Sequence, residues 1–119
     1  MTEVAILRQK ICDRIDSKTQ EIMGRGFVFD EKTFSLSIEA QKNLLWWYTL
    51  FIVGRLIGPI QITTMKNRIY VLEEPKKPGF FETANGTVTE VLSAGRDLKE
   101  AVMKTTDLFI LQNYQDPRV

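Results

Sequence analysis

The chain has no histidine and a single cysteine, Cys12, in 119 residues. Without histidine, no Cys–His or Ser–His nucleophile pair can be built, and the commonest general base at neutral pH is missing. A lone cysteine excludes an intrachain disulfide, and a zinc site would lack its usual ligands. Cys12 follows Ile11 on an amphipathic stretch, so a buried thiol packing as a small hydrophobe is the simplest expectation. Neither sign of charge is in excess: Lys and Arg total 16, Asp and Glu total 15, and the net charge is +1. That balance favours neither nucleic acid nor an anionic membrane surface. The basic residues are scattered, and Lys76-Lys77 is too short to form a patch, which suits a solvated loop. Long apolar runs are missing as well. The greasiest stretch, Leu44 to Val53, is bounded by Lys42 and Arg55 and falls well short of the ~20 residues that span a bilayer. The N-terminus, Met1-Thr2-Glu3-Val4, has no basic leader, apolar signal core or small-residue cleavage site. Synthesis and folding in the cytoplasm are expected. Asn85-Gly86-Thr87 then matches the glycosylation pattern by chance alone.

What is present suits one modest core. Apolar residues make up 44% and charged residues 26% of the chain, and the length points to a single domain over residues 1–119. Thr2 is placed to cap a first helix that runs to about Met23. Its apolar stripe is Val4, Leu7, Ile11, Ile15 and Ile22, and Gly24 fits the left-handed position that ends helices. Phe27, Phe29, Phe34 and Leu36 alternate with Val28 and Ser35, and Asp30-Glu31-Lys32-Thr33 separates the two halves. This reads as a small hairpin with an aromatic face on the core.

Ser37 is a good N-cap for a second helix from Ile38 to about Val53, ended by Gly54. The latter half of that helix is apolar on every side. Such a helix must be covered by neighbours on several faces, and a chain this small has few elements to supply them. Trp46, Trp47 and Tyr48 point in three directions, so at least one is expected to be exposed in an isolated molecule. Gly58-Pro59 then breaks the chain. Ile60–Thr64, a turn at Met65–Arg68, and Ile69–Leu72 read as a second hairpin. Two isolated hairpins must pair with each other, lie on helices or extend a neighbour's sheet. Glu73–Pro78 is a polar connector, and Pro78 suits the first turn of a last helix.

That last helix carries a seven-residue repeat. Phe81, Ala84, Val88, Val91, Gly95, Leu98, Val102, Thr105 and Phe109 fall at alternating steps of three and four. An unbroken helix over 78–113 would be about 54 Å long, which is hard to cover with the rest of the chain. Gly86 and Gly95 each cost about 1 kcal/mol relative to Ala in a helix, and Thr105 and Gln112 are polar. A helical hairpin broken at either glycine would bury the same residues internally. The expected architecture is α+β in the order helix, hairpin, helix, hairpin, long helix. Its expected contacts with neighbouring subunits are Trp46, Trp47, Val91, Leu98, Val102 and Phe109. The tail from Asp116 to Val119 is expected to fray unless a neighbour holds it.

Catalytic chemistry finds little support. The acidic pairs Asp30/Glu31 and Glu73/Glu74 sit in polar turns, where adjacent carboxylates are poor acid–base partners. Gly24-Arg25-Gly26 lacks the spacing of a phosphate loop. Arg14, Arg25, Arg55 and Arg96 suit surface pairing, for instance Arg96 with Glu100. No cofactor, metal or small-molecule substrate is indicated.

Several short signatures line up along the chain. They are Asp13-Arg14-Ile15-Asp16, Gly26-Phe27, Phe34-Ser35-Leu36-Ser37 and Ala40-Gln41-Lys42-Asn43, followed by Ser93-Ala94-Gly95-Arg96-Asp97-Leu98-Lys99 and Asp116-Pro117-Arg118. Together they make the chain resemble a bacteriophage domain family of unknown function, found in tail-fibre assembly proteins and other tail-associated proteins. The resemblance implies a non-enzymatic structural subunit of a tailed-phage virion, in the tail, baseplate or neck. Its partners would be copies of itself and other virion proteins, with no nucleic acid and no membrane. The segment from Trp46 to Val53 is more apolar than the family suggests, which favours a stably incorporated subunit. A soluble adaptor or chaperone for fibre assembly is the second reading. A small enzyme working through carboxylates is the third.

Overall fold

A computed structural model describes residues 2–119. Their order is α1 (Glu3–Met23), β1 (Phe27–Phe29), β2 (Lys32–Phe34), α2 (Ile38–Ile52), β3 (Ile60–Thr63), β4 (Ile69–Leu72), a 3-10 turn (Glu74–Lys76), α3 (Lys77–Lys104) and α4 (Leu108–Gln112). The class is α+β with two separate antiparallel hairpins, as expected, but the described residues form four helices rather than three. The chain divides into two compact units. One joins α1 as far as Ile22 to Glu90–Val119, and the other is Met23–Thr89. α3 contributes residues to both.

In the unit Met23–Thr89, the first hairpin pairs Phe27 with Phe34, Val28 with Thr33 and Phe29 with Lys32. Its loop is two residues, not the expected four. Asp30 and Glu31 both take positive φ, at 51° and 61°, the geometry whose twist matches the flanking strands. Strand alternation sets Phe27 and Phe34 side by side on the buried face, with ring centroids 5.4 Å apart. Phe80 packs onto this pair, 5.4 Å from Phe27 and 5.3 Å from Phe34. One residue later and about 100° further round the helix, Phe81 meets Tyr48 and Phe51 of α2, at 5.8 and 5.2 Å. Two consecutive phenylalanines thus hold the hairpin on one side and α2 on the other. Aromatic pairs of this kind contribute about 0.5–1.5 kcal/mol each beyond their burial.

The second hairpin pairs Ile60 with Leu72 and Ile62 with Tyr70, and it buries Ile62 and Leu72. Tyr70 packs its ring on Phe34 at 5.3 Å. The two hairpins share no ladder, but the Met65 amide donates to the Thr33 carbonyl at 2.9 Å. Gly26 lies at the neck of this arrangement with φ 73°, and a Cβ there would come within 2.0 Å of the Phe34 carbonyl oxygen. Gly26, not Gly24, therefore takes the left-handed position after α1.

The Ser37 hydroxyl accepts from the Ala40 amide at 3.1 Å and opens α2. Gly54, with φ 74°, lies just past its end. The chain beyond is fixed from inside by Lys77, which is fully buried. Its ammonium donates to the Leu56 carbonyl at 2.9 Å and to the Gly58 carbonyl, and pairs with Glu74 at 2.6 Å. The expected solvated position for Lys77 is thus replaced by a buried cation with three oxygen partners. Those oxygens are what make a buried ammonium tolerable, since a buried charge without partners is strongly unfavourable.

In the other unit, Ile11, Cys12 and Ile15 of α1 close on Val102 and Leu111, with Val4, Leu7, Leu98 and Tyr114 packed around them. α3 stops at Lys104, short of the expected Asn113. Thr105 and Thr106 favour extended backbone, and the Asp107 carboxylate accepts from the Phe109 amide at 2.9 Å to start α4. The Arg8 guanidinium takes up the Thr105 carbonyl through two bonds, at 2.9 and 2.6 Å.

The tail is not frayed. Arg118 donates to the Thr19 hydroxyl at 2.8 Å and to the Ile15 carbonyl at 2.9 Å, and it pairs with Asp116 at 2.6 Å. Thr19 in turn donates to the same Ile15 carbonyl at 2.9 Å. Gly95 of α3 lies against this clasp, where a Cβ would stand 2.6 Å from the Thr19 oxygen and 3.4 Å from Arg118. Gly86, by contrast, has open space around its Cα.

The two α3 glycines therefore respond oppositely to alanine. Gly86→Ala should raise stability by about 0.5–1 kcal/mol through helix propensity. Gly95→Ala should lower it, because the displaced Thr19–Arg118 clasp outweighs the same propensity gain. Urea denaturation of the two variants against the parent checks both signs.

Candidate interaction surface

The apolar seam of α3 is covered mainly by its own chain. Phe81 and Ala84 are buried in one unit, and Gly95 and Val102 in the other. Val88, Val91, Leu98 and Thr105 are half-buried. Val102, expected to touch a neighbouring subunit, is 2% exposed inside the α1 core, and Leu98 packs against that same core. A charge placed at Val102 would test folding rather than assembly. Phe109 is 73% exposed, but it sits on α4 and not on the long helix. The α1 core and the Phe81 contacts thus cover much of the seam, while Val88, Val91 and Leu98 keep part of their surface. Arg96 lies 4.0 Å from Asp97 rather than bridging to Glu100.

The uncovered apolar surface lies on α2 instead. Leu44 is buried, and Trp47, Tyr48, Leu50 and Phe51 are half-buried. Ile38, Leu45, Trp46 and Ile52 on α2, with its C-cap Val53, each leave 60% or more of their surface exposed. At about 100° per residue, these five fall within one stripe opposite Leu44. Lys42 and Thr49 lie in the same stripe, and the Thr49 hydroxyl is already satisfied by the Leu45 carbonyl at 2.8 Å. Sequence reading found Trp46 but missed Ile38, Leu45 and Ile52. Their seven-residue spacing was the available signal, hidden because the whole helix is apolar. The two tryptophans part company: Trp46 is 62% exposed, while Trp47 is half-buried and lines a cavity together with Phe34, Leu44 and Phe80.

Beside this stripe runs an open groove of about 470 Å³ between α2 and the first part of α3. Leu45, Tyr48, Ala84 and Val88 form its apolar floor, and Gln41 and Asn85 lie among its polar lining. Among the described residues, no helix is long and apolar enough to cross a membrane. The exposed stripe is therefore too short to be a lipid-spanning surface.

The titratable groups behave as structural ties. Asp30 accepts from the Tyr70 hydroxyl at 2.8 Å and from Lys76 at 2.7 Å. The Lys76 bond, followed by the Tyr70 bond, holds its carboxyl below the usual range. Burial and then the bond to Asp30 push Tyr70 up to about 12, so it stays a donor. Glu74 is lowered chiefly by Lys77, and Asp116 chiefly by Arg118. Burial raises the Cys12 thiol, which keeps it protonated and inert. Each acidic pair is split: Asp30 and Glu74 are tied to lysines in separate contacts.

No family model matches the chain, and neither a curated protein nor a solved structure matches it.

Carboxyls lowered on folding stabilise the fold above their ordinary range, and that contribution disappears as pH falls through the lowered values. Thermal stability should therefore fall as pH drops from about 5 toward 3. Asp116→Asn should be less stable at neutral pH and should lose less on acidification. A series of melting curves across that range reads both effects.

Proposed function

We propose that the chain is a non-enzymatic structural subunit of a tailed-phage particle, in the tail, baseplate or neck. It works by protein–protein packing. The observation that carries this reading is the outer stripe of α2. Five large apolar side chains share one exposed face, and aromatic anchors such as Trp46 are typical of interface centres. The resemblance to phage tail-associated domains supplies the setting. Its signature residues serve as joints rather than as chemistry: Gly95 and Arg118 meet at the Thr19 clasp. Gly26 meets the Phe34 carbonyl, and Ser37 caps α2.

The second reading is a soluble adaptor for fibre assembly. The open groove beside Leu45 and Val88 favours it, since an extended client segment could seat its side chains there.

Leu45→Asp and Trp46→Asp change only exposed positions, so each should cost little stability, within about 0.5 kcal/mol. Both should abolish incorporation into particles. Mass spectrometry of purified particles should find the parent chain at a fixed copy number and the variants absent. A parent chain that is missing from particles but recovered bound to a fibre protein would favour the adaptor. Variants incorporated at full copy number would overturn both readings.

A further inference from the structure

We infer that the α2 stripe is a two-fold, antiparallel contact between two copies of this chain, with Leu45 at the symmetry axis. This rests on the reading of α2 as an assembly surface and names its first partner.

Spacing is the first argument. Ile38, Leu45 and Ile52 stand seven residues apart, so Ile38 and Ile52 are equidistant from Leu45 along the helix. An antiparallel pairing about Leu45 sets Ile38 of each copy against Ile52 of the other and Leu45 against Leu45. Every apolar side chain of this row then opposes another. A parallel pairing would oppose the same apolar residues, but it would also place Lys42 directly against Lys42. The antiparallel arrangement separates the two ammonium groups by about 9 Å along the axis, at 1.5 Å per residue. Lys42 can then lay its methylene stem on the stripe while its charge reaches solvent.

Area is the second argument. Ile38, Leu45, Trp46, Ile52 and Val53 each leave 60% or more of their surface exposed, so covering them supplies a large part of the ~800 Å² per partner of a standard stable interface. A self-complementary patch used by both copies is what a two-fold contact requires. Polar desolvation is small: Thr49 carries its own hydrogen bond within the helix, leaving Lys42 as the charged group in the stripe.

Sedimentation of the intact chain, with single-cysteine variants, tests this. The parent should form a dimer, and Leu45→Lys should weaken it by at least about 30-fold while keeping the parent's circular dichroism. Cys12 is buried, so the parent is an unreactive background for thiol cross-linking. With a short bismaleimide, Leu45→Cys should cross-link to itself. Ile38→Cys should cross-link to Ile52→Cys in a mixture and not to itself. Self-linking of Ile38→Cys without the mixed product would overturn the antiparallel arrangement. A parent that stays monomeric at hundreds of micromolar would overturn the dimer altogether. If that monomer is still found at fixed copy number in particles, the structural reading survives and its first partner is a different protein.

Discussion

The unit Met23–Thr89 depends on Phe80 and Phe81. Adjacent residues on a helix point about 100° apart, so these two rings reach different neighbours. Phe80 closes the aromatic face of the first hairpin, and Phe81 takes the inner face of α2. That division leaves α2 with one covered side. A helix apolar all round then keeps a bare apolar side unless another molecule supplies cover. The exposed stripe follows from the small number of elements the chain can spend on covering α2.

The long helix behaves otherwise because its repeat is shared between two cores. Phe81 and Ala84 belong to one unit, and Gly95, Leu98 and Val102 belong to the other. A continuous heptad pattern is ordinarily the mark of one long partner surface. Here two different sets of side chains use successive stretches of the same seam. Tight closure at Gly95 shows why the repeat tolerates a poor helix former: the clasp of Thr19 and Arg118 occupies the space a side chain would need.

Much of the fold was legible. Ser37 as an N-cap, Gly54 as a stop and the alternation around Phe27 and Phe34 are local signals, and the structure follows them. The misses have non-local causes. The break after Lys104 rests partly on Arg8, a guanidinium 97 positions away from Thr105 in the chain. Arg118 is held by Thr19 and by a backbone carbonyl, and neither partner is marked by a motif. Lys77 looked like half of a solvated pair because its carbonyl partners come from a loop some twenty residues earlier, around Leu56 and Gly58. The candidate surface was half legible. Uniform hydrophobicity flagged α2 as under-covered, but it carried no information about which side would stay bare. That choice was made by Phe81.

The account's central claim is that the outer stripe of α2 is covered when the protein is at work. Hydroxyl-radical labelling of Trp46, compared between the dilute isolated chain and purified particles, tests this most directly. Half-buried Trp47 serves as the internal reference. The account predicts strong labelling of Trp46 in the isolated chain and protection of Trp46 in the particle, with Trp47 little changed. Equal labelling of Trp46 in both states would contradict it.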